Sequence, residues 1–328
     1  MSNDSPQATA AMSVLGGPPS RGRGRHWQLA VTAAVVTAAG WALATHRHTV
    51  DAGVDRLAVA DRAWLLAAGA AALATWVCAA LAQQGAVAER LPAGRLVAAQ
   101  FGACAANHLL PAGVGASAVN LRFLTRCGVS TARSATALAV KAAVGGLVRC
   151  ALAAVLLLAS PRAPRLTPDL PRASLVIPVA GCLALAAAAG ALSRPVRHRT
   201  GRAARQALAD VRAVHGSRAR ACALWGGSLG FALVHAAVLV AVVRSLEVTV
   251  PAGQVVMAYL LASGAAVLLP TPGGLGSLDA TLLLTLTAAG APAAAALSAV
   301  FGYRLLTAWL PLLPGLLVLA LLARRSLL

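Results

Sequence analysis

Long apolar runs, separated by short segments that carry most of the arginines, set the pattern of this 328-residue chain. A run of about 18 or more apolar residues with few charges predicts a helix that crosses a lipid bilayer. We therefore predict an all-α polytopic membrane protein. Six runs have the length and composition of full spans, at residues 27–45, 62–82, 134–159, 174–193, 221–243 and 297–323.

Two further apolar regions contain helix-breaking residues. Region 96–120 includes "NHLLPAGVGAS", and region 252–289 includes "LLPTPGGLGSLDA". Proline removes a backbone donor and glycine permits sharp turns, so a helix is expected to end within each motif. Backbone groups freed in hydrocarbon are costly unless protein or water satisfies them. Each region is therefore predicted to be a re-entrant helical hairpin that lines a cavity. The alternative is a kink packed against neighbouring helices.

The distribution of basic residues favours the hairpin interpretation. If each hairpin enters and leaves on the same side of the membrane, the inner segments hold 18 Lys and Arg residues and the outer loops hold 7. This arrangement satisfies the positive-inside rule. If region 96–120 instead crossed once, the arginine-rich segment 194–220 would lie outside. We therefore predict a disordered basic tail at 1–26, a basic cytoplasmic loop at 194–220, and cytoplasmic N- and C-termini.

The two hairpins are expected to open from opposite sides, because three spans separate them. Each half, at about 27–160 and 174–323, then has two spans, a hairpin and one more span. This order is an inverted repeat within one membrane domain of residues 27–323. The motifs "LLPAGVGAS" and "LLPTPGGLGS" occupy corresponding places and align with a single gap. Paired broken helices of this kind indicate a transporter binding site near the bilayer midplane.

Composition and charge exclude several classes of protein. The chain is 59% hydrophobic and only 11% charged, unlike a soluble domain. Its formal net charge of +19 would indicate nucleic-acid binding in a soluble protein, but here the arginines lie in short loops that suit topology and anionic lipid. We therefore expect no nucleic-acid partner. The six cysteines are scattered without a CxxC pair, so neither a metal site nor another cofactor is predicted.

Four ionisable residues lie within apolar segments, namely Lys141, Arg149, Asp279 and Arg304. Charges in such places are costly and usually face a bundle interior or a cavity. Three cations against one carboxylate indicate an anionic ligand. Structural alternatives remain open: Lys141 and Arg304 could extend to the membrane surface, and Asp279 could pair with an arginine or cap the helix after the second break. His235, also within a span, is interpreted as a packed residue.

The two interrupted regions resemble the signature regions of the lysylphosphatidylglycerol synthase transmembrane family, a group of flippase-like membrane regions. The resemblance extends over nearly the whole chain from about residue 27, and its more specific part is P-x-P-G-G-x-G followed by an acidic residue and then a Tyr-Arg pair. Asp279 stands where the family usually has glutamate, and we expect no soluble aminoacyl transferase domain such as larger members carry. The matching residues are Pro270, Pro272, Gly273, Gly274, Gly276, Asp279, Tyr303 and Arg304 in the second region, and Pro111, Gly113, Gly115 and Arg122 in the first.

The resemblance implies movement of an amphiphilic lipid between leaflets. We expect a flippase-like transporter in the bacterial plasma (inner) membrane that moves an anionic or aminoacylated phospholipid or a polyprenyl-linked lipid. We do not expect an enzyme, and a separate aminoacyl transferase or glycosyltransferase is a candidate partner. The alternatives are an integral-membrane transferase acting on a lipid-linked substrate and a non-transporting partner of a lipid-modifying enzyme. The expected substrate-binding residues are Asn107, Pro111, Gly113, Gly115, Arg122, Lys141, Arg149, Pro270, Pro272, Gly273, Gly274, Gly276, Asp279, Tyr303 and Arg304.

Overall fold

Helices account for nearly all of the structure, a computed structural model that describes residues 55–109, 114–159, 209, 211–213, 215–268 and 276–324. The predicted spans at 27–45 and 174–193, the tail at 1–26 and most of the loop at 194–220 lie outside these residues. In chain order the helices are α1 (Arg62–Gly85), α2 (Ala93–Leu109), α3 (Val114–Arg126), α4 (Thr131–Ala159), α5 (Arg218–Ser245), α6 (Ala252–Leu268), α7 (Ser277–Ala288), α8 (Ala293–Arg304) and α9 (Leu310–Arg324).

Four helices in the described part of the chain are long and apolar enough to cross a membrane. They are α1 with 24 residues, α4 with 29, α5 with 28 and a C-terminal span of 26 residues at Ala293–Val318. A span needs about 20 residues to cross roughly 30 Å of hydrocarbon. Large apolar side chains such as Leu66 and Leu158 are exposed on these helices, as expected of surfaces that face lipid. The prediction of an all-helical polytopic membrane protein is confirmed.

Shorter helices occupy the two regions with the Pro/Gly motifs. In the first region the 17-residue α2 ends at Leu109 and the 13-residue α3 begins at Val114. In the second, the 17-residue α6 ends at Leu268 and the 12-residue α7 begins at Ser277. At 1.5 Å per residue, α3 and α7 are only about 20 Å long, which is too short to cross the hydrocarbon. Each pair packs helix against helix, and we call these pairs the first and the second hairpin. The predicted breaks themselves, at residues 110–113 and 269–275, lie outside the described residues.

The central contact of the bundle is an antiparallel pair formed by α1 and α5. At one end, the Asp61 backbone N–H donates to the Ser245 carbonyl at 3.0 Å. At the other end, a Cβ on Gly85 would lie 2.3 Å from the Leu224 backbone nitrogen, and one on Gly227 would lie 2.5 Å from that of Ala82. The two backbones thus approach so closely that only glycine fits. Small residues commonly permit such contacts between membrane helices.

The remaining helices pack around this pair. Helix α9 lies against α2, where a Cβ on Gly315 would come within 2.7 Å of the Phe101 carbonyl oxygen. Helix α4 contacts both α5 and α6. One hydrophobic core forms among α5, α6, α7 and α8, with Leu239, Leu282 and Leu286 at its centre, and a second surrounds Leu124 and Leu224. The second hairpin is consequently held in a continuous apolar core.

A π-helical segment, Leu305–Trp309, joins α8 to α9 without a break. The Leu310 N–H donates to the Leu305 carbonyl, the i→i−5 bond of a π turn. Pro311 and Pro314 follow directly, and neither can donate to the preceding turn. The wide π turn therefore lies immediately after Tyr303 and Arg304. Just beyond it the helix lacks two backbone donors, because Pro311 and Pro314 have no N–H.

Candidate functional site

Asp279 and Arg304 form an ion pair within the membrane helices. Arg304 Nε lies 2.5 Å from Asp279 Oδ1, and the Arg304 side chain is almost fully buried. The other carboxylate oxygen, Oδ2, accepts from the Gly276 N–H at 3.1 Å, at the start of α7. Gly276 has a φ of 92°, which glycine adopts without strain. Asp279 thus pairs with an arginine and also caps its own helix, so both structural alternatives for this residue are observed.

A group of aromatic residues lies beside this ion pair. His235 Nδ1 and the Tyr303 hydroxyl are 3.0 Å apart and share a hydrogen bond. The His235 ring also stacks on Tyr259, with ring centroids 5.9 Å apart and planes 6° from parallel. Tyr303 is buried in the same apolar core as Tyr259. His235 is therefore a packed and hydrogen-bonded residue, as the sequence analysis predicted.

Arg149 lies near the middle of α4, as its sequence position required. Its Nη1 donates to the Gly145 carbonyl at 3.1 Å, and its guanidinium carbon lies 5.8 Å from the centroid of the Phe231 ring. Tyr259 is close enough to the same guanidinium for the two side chains to interact electrostatically. The buried Nε of Arg149 has no partner, and no described carboxylate pairs with it. The charge of Arg149 is thus held by aromatic and neutral groups.

Lys141, two turns before Arg149, contacts a chain of carboxamides. Its Nζ donates to Gln83 Oε1 at 3.0 Å and to Gln100 Oε1 at 3.4 Å. Gln100 Nε2 donates to Asn120 Oδ1 at 2.9 Å, and Asn120 Nδ2 donates to the Ala116 carbonyl at 2.9 Å. All three amide residues are buried. We call Lys141, Gln83, Gln100 and Asn120 the Lys141 network; it joins α1, α2, α3 and α4.

The first hairpin also contains Gly115, Asn107 and Arg122. A Cβ on Gly115 would lie 2.0 Å from the Ala106 carbonyl oxygen, so glycine is needed for α2 and α3 to pack. Asn107 is partly buried near the end of α2, whereas Arg122 is exposed on α3. The expected site residues in the two breaks lie outside the described residues: Pro111, Gly113, Pro270, Pro272, Gly273 and Gly274.

The two hairpin regions lie near one another at the Asp279–Arg304 pair. Arg304 is close enough to interact electrostatically with His108 and Cys104, both near the end of α2. The packing of α9 on α2 is part of the same arrangement. The structure therefore brings residues of both signature regions together, although the Lys141 network and the ion pair are separate clusters. Within the described residues, no three His, Cys, Asp or Glu side chains are grouped so that they could hold a metal ion.

The model of the lysylphosphatidylglycerol synthase TM region matches residues 27–315. The chain belongs to this family. No curated protein matches the chain. The matched region includes both signature hairpins, the Asp279–Arg304 pair and the Lys141 network, so the family resemblance seen in the two motifs is confirmed. Membership of the lysylphosphatidylglycerol synthase TM region family associates the protein with lipid-related membrane function.

Three members of the Lys141 network were not among the site residues predicted from the sequence. Gln83 and Gln100 were not considered, and Asn120 was not included among the expected binding residues. The signal that could have identified them is the presence of carboxamides within apolar helices, since each carboxamide must find hydrogen-bond partners in a membrane interior. Their contacts with Lys141 span 58 and 41 residues of sequence. The pairing therefore depends on how the helices pack and not on any local spacing.

Proposed function

We propose that this protein moves a lipid with an anionic headgroup between the leaflets of the bacterial plasma membrane. The lipid class is an anionic or aminoacylated phospholipid or a polyprenyl-linked lipid. The observation that carries the proposal is the pair of cations on α4: Lys141 and Arg149 lie inside a membrane helix, and no described carboxylate pairs with either. Such charges are costly unless a counter-charge compensates them. A lipid phosphate supplies that charge while its chains stay in the bilayer.

The cations have different parts in this proposal. Arg122, Lys141 and Arg149 attract the phosphate, because their charges are free of the carboxylates in the described residues. Arg304 is neutralised by Asp279, so the ion pair fixes α7 against α8 and does not carry the headgroup. A helix N-terminus also favours an anion, and α3 begins directly after the first break. The residues proposed to attract the headgroup therefore carry a net positive charge.

The proposed architecture is an inverted repeat with two re-entrant hairpins, and the helix contacts support it. In the repeat, α1 corresponds to α5, α2 to α6, α3 to α7, and α4 to the helix formed by α8 and α9. The contact of α9 with α2 then corresponds to that of α4 with α6, and the contact of α1 with α2 to that of α5 with α6. The equivalent helices α1 and α5 run antiparallel, as an inverted repeat requires.

The topology is tested by labelling single cysteines in intact cells, on a background without native cysteines. Arg126→Cys lies at the end of α3 and Glu247→Cys lies in the turn between α5 and α6. If the first hairpin enters and leaves on the cytoplasmic side, a membrane-impermeant maleimide labels Glu247→Cys from outside and labels Arg126→Cys only after permeabilisation. Three predicted spans separate the two positions, so a single crossing by the first region would give the reverse pattern: labelling of Arg126→Cys from outside and of Glu247→Cys only after permeabilisation.

Transport is tested with purified protein in liposomes that contain phosphatidylglycerol with a fluorescent acyl chain. Addition of dithionite bleaches only the outer leaflet, so a lipid-moving protein allows loss of fluorescence beyond the half seen in empty liposomes. We expect this loss with the wild type, a rate at least tenfold lower with Arg149→Met, and a rate within twofold of wild type with the surface control Arg126→Gln. A tenfold change in rate corresponds to about 1.4 kcal/mol.

Two outcomes would count against the proposal. If wild-type liposomes bleach no further than empty ones with each lipid class, the protein does not move these lipids by itself. If mass spectrometry instead finds that the purified protein changes the lipid covalently, the alternative of a membrane transferase is correct. Under the proposal the chain performs no covalent step, and a separate aminoacyl transferase or glycosyltransferase supplies the modified lipid.

A further inference from the structure

We infer that the Lys141 network is an oxyanion-binding subsite in which the Lys141 ammonium and the Gln83 carboxamide bind a phosphate or phosphodiester. The inference rests on the proposed function for the idea that a lipid carries this group, and it adds a location, a pair of donors and a ligand class. Gln100 and Asn120 are positioning residues, since they orient Lys141 and do not contact the anion.

The hydrogen-bond directions in the network follow from Lys141. An ammonium can only donate, so the amide atoms at 3.0 and 3.4 Å from Nζ must be the oxygens of Gln83 and Gln100. The Gln100 nitrogen must then donate to the Asn120 oxygen, and the Asn120 nitrogen to the Ala116 carbonyl. Each acceptor is consequently committed within the network. The assignment of oxygen and nitrogen in these amides is thus fixed by chemistry.

Donors remain free after this assignment. Gln83 is 0% exposed, and its Nε2 has no hydrogen-bond partner among the described residues. Lys141 has three N–H donors, and the described contacts use two of them. A buried donor without a partner is costly, and native proteins rarely leave one unmet. The free Gln83 nitrogen shares its amide carbon with the oxygen that Lys141 contacts, so both free donors lie in one place.

The charge of the cluster selects an anion. Of the described carboxylates near membrane helices, Asp279 is paired with Arg304 and Glu89 is paired with Arg133 at 2.8 Å. The partners of Lys141 are neutral amides, and Arg149 adds a second positive charge two turns further along α4. A ligand with at least two acceptor oxygens and a negative charge would satisfy the ammonium and the carboxamide together. Phosphates and phosphodiesters have these properties.

A groove lies at one end of α1 and α4. Its lining includes Ala86, Val87 and Glu89 after the end of α1, and Arg133 and Ala137 on α4. Ala137 lies four residues before Lys141, so the two residues share a face of α4 and are about one turn apart. Lys141 itself is partly exposed, which leaves a route for the ligand.

A lysine at position 141 suits a binding site in which little room is left around the donor group. Lys141 is the only lysine in a chain with 28 Lys and Arg residues. A lysine presents a compact ammonium with three rotatable donors, whereas an arginine presents a planar fork that needs more room. Two glutamine oxygens already take two of the directions around Nζ. The remaining direction suits one oxygen of a phosphate, and Gln83 Nε2 suits a second.

The experiment measures binding in detergent and in phosphate-free buffer, using isothermal titration calorimetry on the whole chain. The probes are inorganic phosphate, monomeric dihexanoyl-phosphatidylglycerol and dihexanoylglycerol, which has the same chains without phosphate. Lys141→Met removes the charge. Gln83→Glu keeps an oxygen for Lys141 but places a carboxylate where the anion would lie. Arg126→Gln, at an exposed position on α3, is the matched control for loss of one positive charge.

We expect the wild type to bind a phosphate-bearing probe and not dihexanoylglycerol. Lys141→Met and Gln83→Glu should each raise the Kd at least tenfold, whereas Arg126→Gln should stay within twofold. Binding of the phospholipid alone identifies a lipid headgroup as the source, and binding of inorganic phosphate alone identifies free phosphate; either supports the subsite. Failure of the wild type to bind both phosphate probes overturns it, as does a Kd within twofold of wild type in Gln83→Glu.

The melting temperature and a transport assay distinguish a loss of binding from a loss of folding or of lipid movement. Gln83→Glu retains the contact with Lys141 and gains an ion pair, so we expect its melting temperature to match that of the wild type even if Lys141→Met unfolds. In liposomes, unchanged lipid movement by Gln83→Glu together with unchanged phosphate binding would overturn the subsite and leave the proposed function intact. Phosphate binding that depends on Gln83 and Lys141, in a protein that moves no lipid, would support the subsite and contradict the proposed function.

Discussion

The two hairpin regions have helices of similar length, but one contains a paired carboxylate and the other contains only neutral amides around a lysine. The second hairpin carries its own carboxylate, and Asp279 is fully engaged by Arg304 and by the start of α7. The first hairpin supplies neutral amides, Gln100 and Asn120, to a lysine on the next helix. The second region is therefore balanced within the protein, while the first keeps a positive charge. Two similar helix pairs thus carry a structural ion pair in one case and contribute to a proposed ligand site in the other.

Removal of the carboxylate charge from the second hairpin should have the largest effect on stability. Asp279→Asn keeps an acceptor for the Gly276 N–H but leaves the buried Arg304 without its counter-charge, which typically costs about 3–5 kcal/mol. We expect a loss near the lower end of this range, because the Asp279 side chain is 27% exposed. The free energy of unfolding in mixed detergent micelles provides the measurement.

The matched control for this change removes both charges. Asp279→Asn combined with Arg304→Met should recover most of the lost stability, since hydrophobic replacement of a buried pair is often neutral. Equal destabilisation by the single and double variants would show that the ion pair is not what holds α7 and α8 together.

A smaller effect is expected from the glycine contact in the first hairpin. Gly115→Ala places a Cβ against the Ala106 carbonyl oxygen, 2.0 Å away, and this backbone atom cannot rotate aside. Overpacking of this kind typically costs about 1–3 kcal/mol. Gly94→Ala is the control, because it lies in the same hairpin with no atom within 4 Å of the added Cβ. The thermal unfolding midpoint should fall for Gly115→Ala only, and an equal shift in both variants would contradict the packing role.

The smallest expected effect concerns the hydrogen bond beside the ion pair. Tyr303→Phe removes the partner of His235 at 3.0 Å but preserves the ring contacts with Tyr259. A typical net contribution of one such bond is about 1 kcal/mol. The same unfolding titration checks this value. If Tyr303→Phe destabilises the protein as strongly as Asp279→Asn, then the aromatic group and the ion pair form one cooperative unit.

The positions of the helices could be read from the sequence because the relevant signals are local. The predicted span at 62–82 is observed as Arg62–Gly85, and that at 221–243 as Arg218–Ser245. The ends of α2 and α6 and the starts of α3 and α7 lie beside Pro and Gly residues, whose effect on the backbone needs no distant partner. Fifty-eight residues separate Lys141 from Gln83. Their contact depends on α1 and α4 lying side by side, which apolar periodicity does not determine.

The charge balance was only partly predictable for the same reason. The sequence placed one carboxylate and three cations in apolar segments, and pairing of Asp279 with Arg304 was one of its alternatives. It could not decide which cation would be paired, because Arg149 and Arg304 were equally available by position. Packing decides this: Arg304 ends α8 beside the first turn of α7, whereas Arg149 faces Phe231 and Tyr259. The pairing leaves the uncompensated charge on α4.

The glycine contact between α1 and α5 limits how the protein can move. A slide of one helix past the other by one turn, about 5.4 Å, would bring larger side chains to the places where only Gly85 and Gly227 fit. The pair is therefore expected to keep its register and to behave as a rigid body. Its backbone amides should exchange with solvent deuterium more slowly than those of the short helices α3 and α7. Any change in access from one leaflet to the other would then come from displacement of the hairpins and C-terminal helices around a stationary pair.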